Sequence, residues 1–179
     1  TLIDDILDLS SIEAGKLELD IKRTPVETML TDLYDIARDW AAREEMIITL
    51  DCPDKVGFAE IDPRRIKQAL MNLIQNAIDY TPKGGSITLS ATAQGRDNVA
   101  ISVADTGVGI EQDALEELLK PFTRGSSQNT GGTGLGLTIV QHMAKLHDGD
   151  LEITSTPGSG TKATLVLPRR HRKKQDEAA

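Results

Sequence analysis

The chain has 179 residues, 39% hydrophobic and 27% charged, and its 28 acidic residues against 20 basic ones give a net charge of −8. That length fits one domain with a short attachment, and the apolar fraction excludes wholesale disorder. The last eleven residues hold five bases and two acids, so the other 168 carry 15 bases against 26 acids, a charge of −11. This argues against nucleic acid as a general partner, because phosphate backbones need basic patches.

Cys52 stands alone and the three histidines are widely spaced, so neither a disulfide nor a cysteine or histidine metal cluster is expected. No apolar run reaches the length of a membrane span and no signal peptide opens the chain. The expectation is a soluble domain from a reducing compartment. Because residue 1 reads as mid-helix, a fragment of a longer protein is expected.

Residues 1–19 pattern as the end of an acidic amphipathic helix, with Leu2, Ile6, Leu9 and Ile12 on one stripe and Gly15 as the stop. So thin a stripe needs another helix, or a second copy, to pack against. Thr24-Pro25-Val26-Glu27 has the spacing of a capping box, with Thr24 as the cap. It leads a helix to about residue 42 whose apolar face holds Val26, Leu30, Leu33, Ile36, Ala37 and Trp40. Residues 46–50 read as a strand, and Asp62-Pro63 opens a helix to about Tyr80.

Beyond Pro82–Gly85 the apolar period falls to two, with Ile87, Leu89 and Ala91, then Val99, Ile101 and Val103 after a turn at 95–98. A short helix near 111–119 precedes a polar Gly/Ser-rich stretch at 123–134 and a helix over roughly 135–147. Strands near 151–155 and 161–167, joined by a turn, follow. These elements predict one sheet covered on one face by helices. The tail after Pro168 is expected to be disordered and exposed, with contact to anionic lipid as the other option.

Three elements carry chemistry. On the 63–80 helix, Ile66, Ala69, Leu70, Leu73, Ile74, Ala77 and Ile78 form an apolar face, while Asn72 and Asn76 stack one turn apart on the polar side. Asparagine is unfavourable inside a helix, so two at this spacing suggest a task; an amide oxygen is a neutral ligand for a hard cation such as Mg2+. The plain alternative is an exposed polar face. Next, Asp105-Thr106-Gly107-Val108-Gly109-Ile110 ends a strand in a tight turn that a planar ligand can approach, with the Asp105 carboxylate free to accept from an exocyclic amine. Finally, Gly131-Gly132-Thr133-Gly134-Leu135-Gly136-Leu137 opens a helix, where bare amides and the helix dipole suit an anion. A hinge is the plain alternative there. Lys120 and Arg124 can reach a phosphate, and 123–131 reads as a lid able to close over a nucleotide.

In this order and spacing, these strings resemble the catalytic, ATP-binding half of sensor histidine kinases, in the superfamily of the Hsp90, type II topoisomerase and MutL ATPases. The resemblance covers residues 1–168. It implies a two-layer α+β sandwich, with a mixed, mostly antiparallel sheet of about five strands under three helices. It divides the chain into the end of a dimerisation and phosphotransfer helix (1–19), a catalytic domain (20–168) and a basic tail (169–179). By resemblance Asn76 coordinates Mg2+, Asn72 contacts phosphate or the Mg2+ shell, and Asp105 recognises the adenine amino group. Gly107, Gly109 and Ile110 fall in the first glycine box. Pro121-Phe122 lies at the phenylalanine box, with Arg124 in the lid stretch after it, Gly132, Thr133, Gly134, Leu135 and Gly136 in the box that closes the lid, and Thr161 in a last glycine element.

The implied cofactors are ATP and Mg2+. The implied reaction moves the γ-phosphoryl group to a histidine upstream of Thr1, then to an aspartate of a response regulator. Dimerisation of the full-length protein is implied, as is a cytoplasmic position, with anchoring in a bacterial inner membrane left open. Asn72 stands where hydrolytic relatives have a glutamate, and an amide is a poor general base, which favours transfer over hydrolysis. Asp79 departs from the family pattern, since a carboxylate falling near Asn72 on the helical wheel repels a triphosphate. A pseudokinase used as a regulatory scaffold is therefore the alternative reading, and a self-contained ATPase a third. His142 reads as a surface or partly packed residue, and His147 as a terminal-turn residue favoured by the helix dipole.

Overall fold

The computed structural model describes residues 2–53, 56–121, 123 and 134–171. In chain order they form α1 (Leu2–Glu13), β1 (Lys22–Pro25), α2 (Val26–Arg43), β2 (Ile47–Asp51), β3 (Phe58–Ile61) and α3 (Pro63–Tyr80). Then come β4 (Ser86–Gln94), β5 (Asn98–Asp105), α4 (Gln112–Leu118), α5 (Gly136–Leu146), β6 (Asp150–Thr156) and β7 (Gly160–Pro168).

Five strands make one sheet in the order β2-β4-β5-β7-β6, with β2 parallel to β4 and the other three junctions antiparallel. Ile87, Leu89 and Ala91 of β4, Val99, Ile101 and Val103 of β5, and Ala163, Leu165 and Leu167 of β7 are buried. Period two sends these to one face. The opposite face is rich in hydroxyls, and Thr49–Thr88 and Ser102–Thr164 bond across neighbouring strands. α3 is the central helix, packed between α2 and α5. Its stripe of Ile66, Ala69, Leu70, Leu73, Ile74, Ala77 and Ile78 is buried as expected. Each fully buried Leu or Ile contributes roughly 1.5–3 kcal/mol, far more than helix propensity supplies per residue.

Four expectations need correction. Thr24 does not cap α2. It lies in β1 opposite Ala59 of β3, its hydroxyl donates to Lys22 O, and Pro25 takes the N-cap position without a side-chain bond. The unexpected β1–β3 pair wins because four-residue strands leave no period to read, while pairing and burial of Thr24 satisfy more backbone than a cap does. Ile36 is 48% exposed, because the stripe of α2 runs through Val26, Met29, Leu30, Leu33, Ala37 and Ala41. Residues 169 and 171 are also not free and disordered. The Arg169 guanidinium donates to the carbonyls of Val56 and Phe58, its amide donates to Asp97 O, and its own carbonyl accepts from Glu60 N. His171 N donates to Glu60 Oε2.

The fourth correction concerns His147. It is 1% exposed, and its Nε2 accepts from the amide of Asp62 (3.0 Å) while Nδ1 lies 2.7 Å from Met143 O. Only the neutral ring with its proton on Nδ1 makes both bonds. The residue is thus a buried neutral strut and itself brings no charge to the helix dipole.

On α1, Ile12 packs against the core while Ile3, Ile6 and Leu7 are exposed. Gly15, at φ 64°, ends the turn. No helix among the described residues is long and apolar enough to cross a membrane.

Candidate functional site

The site is built around the two ends of α3. At the start, Asp62 is 1% exposed and is the N-cap, accepting from Arg64 N (3.0 Å) and Arg65 N (3.3 Å) through Oδ1. Its Oδ2 accepts from Asp20 N at 3.0 Å. Burial pushes the Asp62 carboxyl up, but the amides of Asp20, Arg65 and Arg64 outweigh it and hold the pKa below 3.8. With the His147 strut, the beginning of α3 is locked to the end of α5.

Towards the other end, the polar edge of α3 meets the first turn of α5. A Cβ on Gly136 would lie 3.8 Å from Asn76 Nδ2, 3.9 Å from its Oδ1 and 4.0 Å from Asn72 Cβ. Asn72 Nδ2 is buried without a partner among the described residues. The Asn76 amide lies against Gly136 one turn further along α3. Thr138 Oγ1 donates to Leu119 O and ties α5 to the end of α4.

The loop after β5 stacks on the last turn of α3, where Val108 N donates to Tyr80 O at 3.1 Å. Asp105 Oδ1 accepts from Gly107 N (2.8 Å) and Thr161 N (3.2 Å). Its Oδ2 has no partner among the described residues. Burial pushes this carboxyl up from its ordinary value, opposed by those two amides. The turn between β6 and β7 closes over the loop. Gly158 N donates to Val108 O (2.7 Å), and Ile110 N donates to Ser155 Oγ (2.8 Å).

The glycines here answer to the protein itself. A Cβ on Gly107 would strike Tyr80 O, one on Gly109 would strike Thr156 O, and one on Gly160 would strike Asp105 O. Gly109 and Gly160 also hold φ of 70° and 98°.

The fold therefore gathers Asn72, Asn76 and Gly136 at one edge, and Asp105, Gly107, Gly109, Ile110 and Thr161 at the loop one turn further along α3. Leu135 has its side chain wholly in the core, so only its backbone can face a ligand. Gly134 sits at φ 72°, just before α5. Phe122, Arg124, Gly132 and Thr133 lie outside the described residues. Asp79 is on the exposed side of α3 and accepts from Gln75 Nε2 at 2.7 Å; partial desolvation pushes its carboxyl up, opposed by the Gln75 bond and aided by nearby Glu44. Its bonded partner thus lies along its own helix.

Sequence reasoning missed Ser155. The signal was available, since Leu151, Ile153 and Ser155 share one face of β6 and a serine there breaks the apolar alternation.

A mixed sheet under three helices, with a polar helix edge facing a glycine-rich loop, is the architecture of Hsp90- and histidine-kinase-type ATPases. The sequence profile described as histidine kinase-, DNA gyrase B- and HSP90-like ATPase matches residues 61–171. The chain belongs to this family, as a catalytic domain of the histidine-kinase type.

The non-motile and phage-resistance protein of Caulobacter vibrioides is 42% identical over 176 residues, covering 95% of this chain and 21% of that protein. The histidine protein kinase DivJ of the same bacterium is 38% identical over 170 residues, covering 93% and 28%. Full-length ShkA, crystallised with AMPPNP, superposes with a TM-score of 0.85 at 26% identity, covering 96% of this chain and 36% of that one. The chain spans less than a third of the length of either of these curated relatives.

Proposed function

We propose that this chain binds ATP with Mg2+ between the Asn72–Asn76 edge and the Asp105 loop. In this reading it is the catalytic domain of a sensor histidine kinase. The observation that carries the reading is Asn72 Nδ2, buried without a partner among the described residues, on the helix edge where Asn76 adjoins Gly136 at the start of α5. Buried polar atoms are normally paired, so this one marks a place for a polar ligand.

The residues present fit magnesium and a purine triphosphate. Among the described residues no group of three or more His, Cys, Asp or Glu gathers to hold a metal. Neutral carboxamides at Asn76 and Asn72 suit an ion that keeps most of its shell for phosphate and water. Such an ion, when bound, neutralises charge on the transferred phosphoryl group. Asn76 Oδ1 is its ligand, and Asn72 Nδ2 donates to a phosphate oxygen. Asp105 Oδ2 accepts from the adenine amine, held by the Gly107 and Thr161 amides. Gly107, Gly109 and Ile110 shape the base pocket. By the family pattern Gly132, Thr133, Gly134, Leu135 and Gly136 form the phosphate box, and Phe122 and Arg124 belong to the closing segment, with Arg124 on phosphate.

Asn72 cannot take a proton from water, so the chemistry is transfer to a protein acceptor. His147 is spent as a strut, and His142 Nδ1 lies 2.8 Å from Thr138 O. By the family pattern the acceptor is an imidazole on an upstream dimerisation helix, with a response regulator as the next recipient. Exposed Ile3, Ile6 and Leu7 support α1 as part of a dimerisation helix. The regulatory-scaffold reading rests on Asp79, an added acidic group beside Glu44.

Calorimetric titration of ATP into the purified chain, with and without Mg2+, tests the proposal. Saturable binding strengthened by Mg2+, with negligible release of ADP from the chain alone, is the expected result. No binding at millimolar ATP overturns the enzymatic reading in favour of the scaffold. Brisk turnover without an acceptor would restore the self-contained ATPase.

A further inference from the structure

Ser155 sits where β6 meets its turn, outside every residue given a role above. Its hydroxyl makes three contacts. It accepts from Ile110 N at 2.8 Å, donates to Gly160 O at 3.0 Å, and lies 2.8 Å from Thr161 Oγ1. A serine hydroxyl has one proton and two lone pairs, so these contacts fill it. Gly160 O can only accept and takes the serine proton. In the remaining pair Thr161 must then be the donor, and its hydroxyl proton points to Ser155.

The consequence reaches the ligand side. With its proton committed to Ser155, Thr161 Oγ1 has only lone pairs to offer. Its own amide donates to Asp105 Oδ1, so the residue that carries this hydroxyl adjoins the carboxylate whose Oδ2 can only accept while ionised. We infer that Ser155 is a positioning and specificity residue: it fixes the Thr161 hydroxyl as an acceptor, so that Asp105 and Thr161 together present an acceptor-only edge selecting a 6-aminopurine over a 6-oxopurine. A 6-amino group supplies two donors to such an edge, whereas a 6-oxo group meets it with another acceptor. Ser155 also holds Ile110 N, so the same hydroxyl sets the far end of the Asp105 loop.

This inference rests on the ATP reading above. It is tested by competitive titration of Mg-ATP and Mg-ITP against the parent chain, Ser155→Ala and Ser155→Thr, with thermal unfolding of each as a check on folding. The parent is expected to favour ATP. Ser155→Ala frees the Thr161 proton and should cut the ATP-to-ITP preference by about fivefold, the worth of one hydrogen bond. Ser155→Thr, which keeps the hydroxyl, should restore it. A merely structural serine would weaken both nucleotides equally, so an unchanged ratio in folded Ser155→Ala overturns the inference while leaving ATP binding intact. If Ser155→Ala fails to fold, Thr161→Val puts the same question by deleting the acceptor; a preserved ratio there is equally fatal. A parent that binds neither nucleotide overturns the ATP reading and this inference with it.

Discussion

The two ends of α3 use similar groups to opposite ends. At the start, the Asp62 carboxylate and the His147 imidazole are buried, and every amide they face is matched. Further along, the buried Asn72 Nδ2 has no partner among the described residues, and the half-buried Asp105 is bonded through Oδ1 alone among them. Leaving a buried polar atom unmatched costs about 1–3 kcal/mol, and the first end shows that this fold can avoid the cost. The contrast separates a joint that holds the helix from an edge kept open for something else.

Breaking the joint should cost stability. Replacing Asp62 with alanine orphans three amides at a buried cap, and urea denaturation should show a loss of about 2–4 kcal/mol. The protein that remains folded should bind ATP with near-parent affinity; a loss below about 0.5 kcal/mol would mean the cap is redundant.

Breaking the open edge should cost function instead. Asp105→Asn keeps an acceptor for the Gly107 and Thr161 amides but can turn a donor towards the purine. ATP binding should weaken by about 10- to 100-fold, while the thermal midpoint stays equal or rises because an ionised, half-buried group is gone. Unchanged affinity would remove Asp105 from the base pocket.

Acid sharpens the same comparison. Burial lowers the pKa of His147 from 6.5, opposed by the Met143 carbonyl and by nearby Asp62, with His171 and Asp148 close by. The folded state prefers the neutral ring, so its contribution is complete above pH 6.5 and is lost as pH falls towards the depressed folded value. The slope cannot exceed about 1.4 kcal/mol per pH unit, the one-proton limit. His147→Gln should flatten this part of the stability profile, and an unaltered slope would place the titration elsewhere. Asp62 acts in a separate window: its contribution is present above about pH 3.8 and lost below it.

The smallest effect belongs to Asp79→Lys, which removes an exposed carboxylate and should tighten ATP binding about two- to fivefold at low salt, fading as salt is added. A gain that ignores salt would not be electrostatic, and no gain would show Asp79 directed away from the phosphates.

Much of this was legible before any coordinates. The seven-residue stripe of α3, the alternation of β4, β5 and β7, and the Asp62-Pro63 start each repeat a local rule with enough residues to be read. Thr24 misled because a capping pattern and a short buried strand look alike when the partner strand is distant in sequence. Ile36 shows the same weakness in milder form, since an apolar residue just off the stripe counts as core until packing is known.

Chain chemistry alone settled which side chains can do what: two carboxamides a helical turn apart, a carboxylate before paired glycines, and no base at position 72. Tertiary structure decided which of them stay available. It spent His147 on Asp62, assigned the glycines of the Asp105 loop to close contacts with the protein's own carbonyls, and brought Ser155 to Ile110 and Thr161 from another strand. Hydrogen-bond capacity is a property of the residue, but whether that capacity is already used depends on neighbours that only folding supplies.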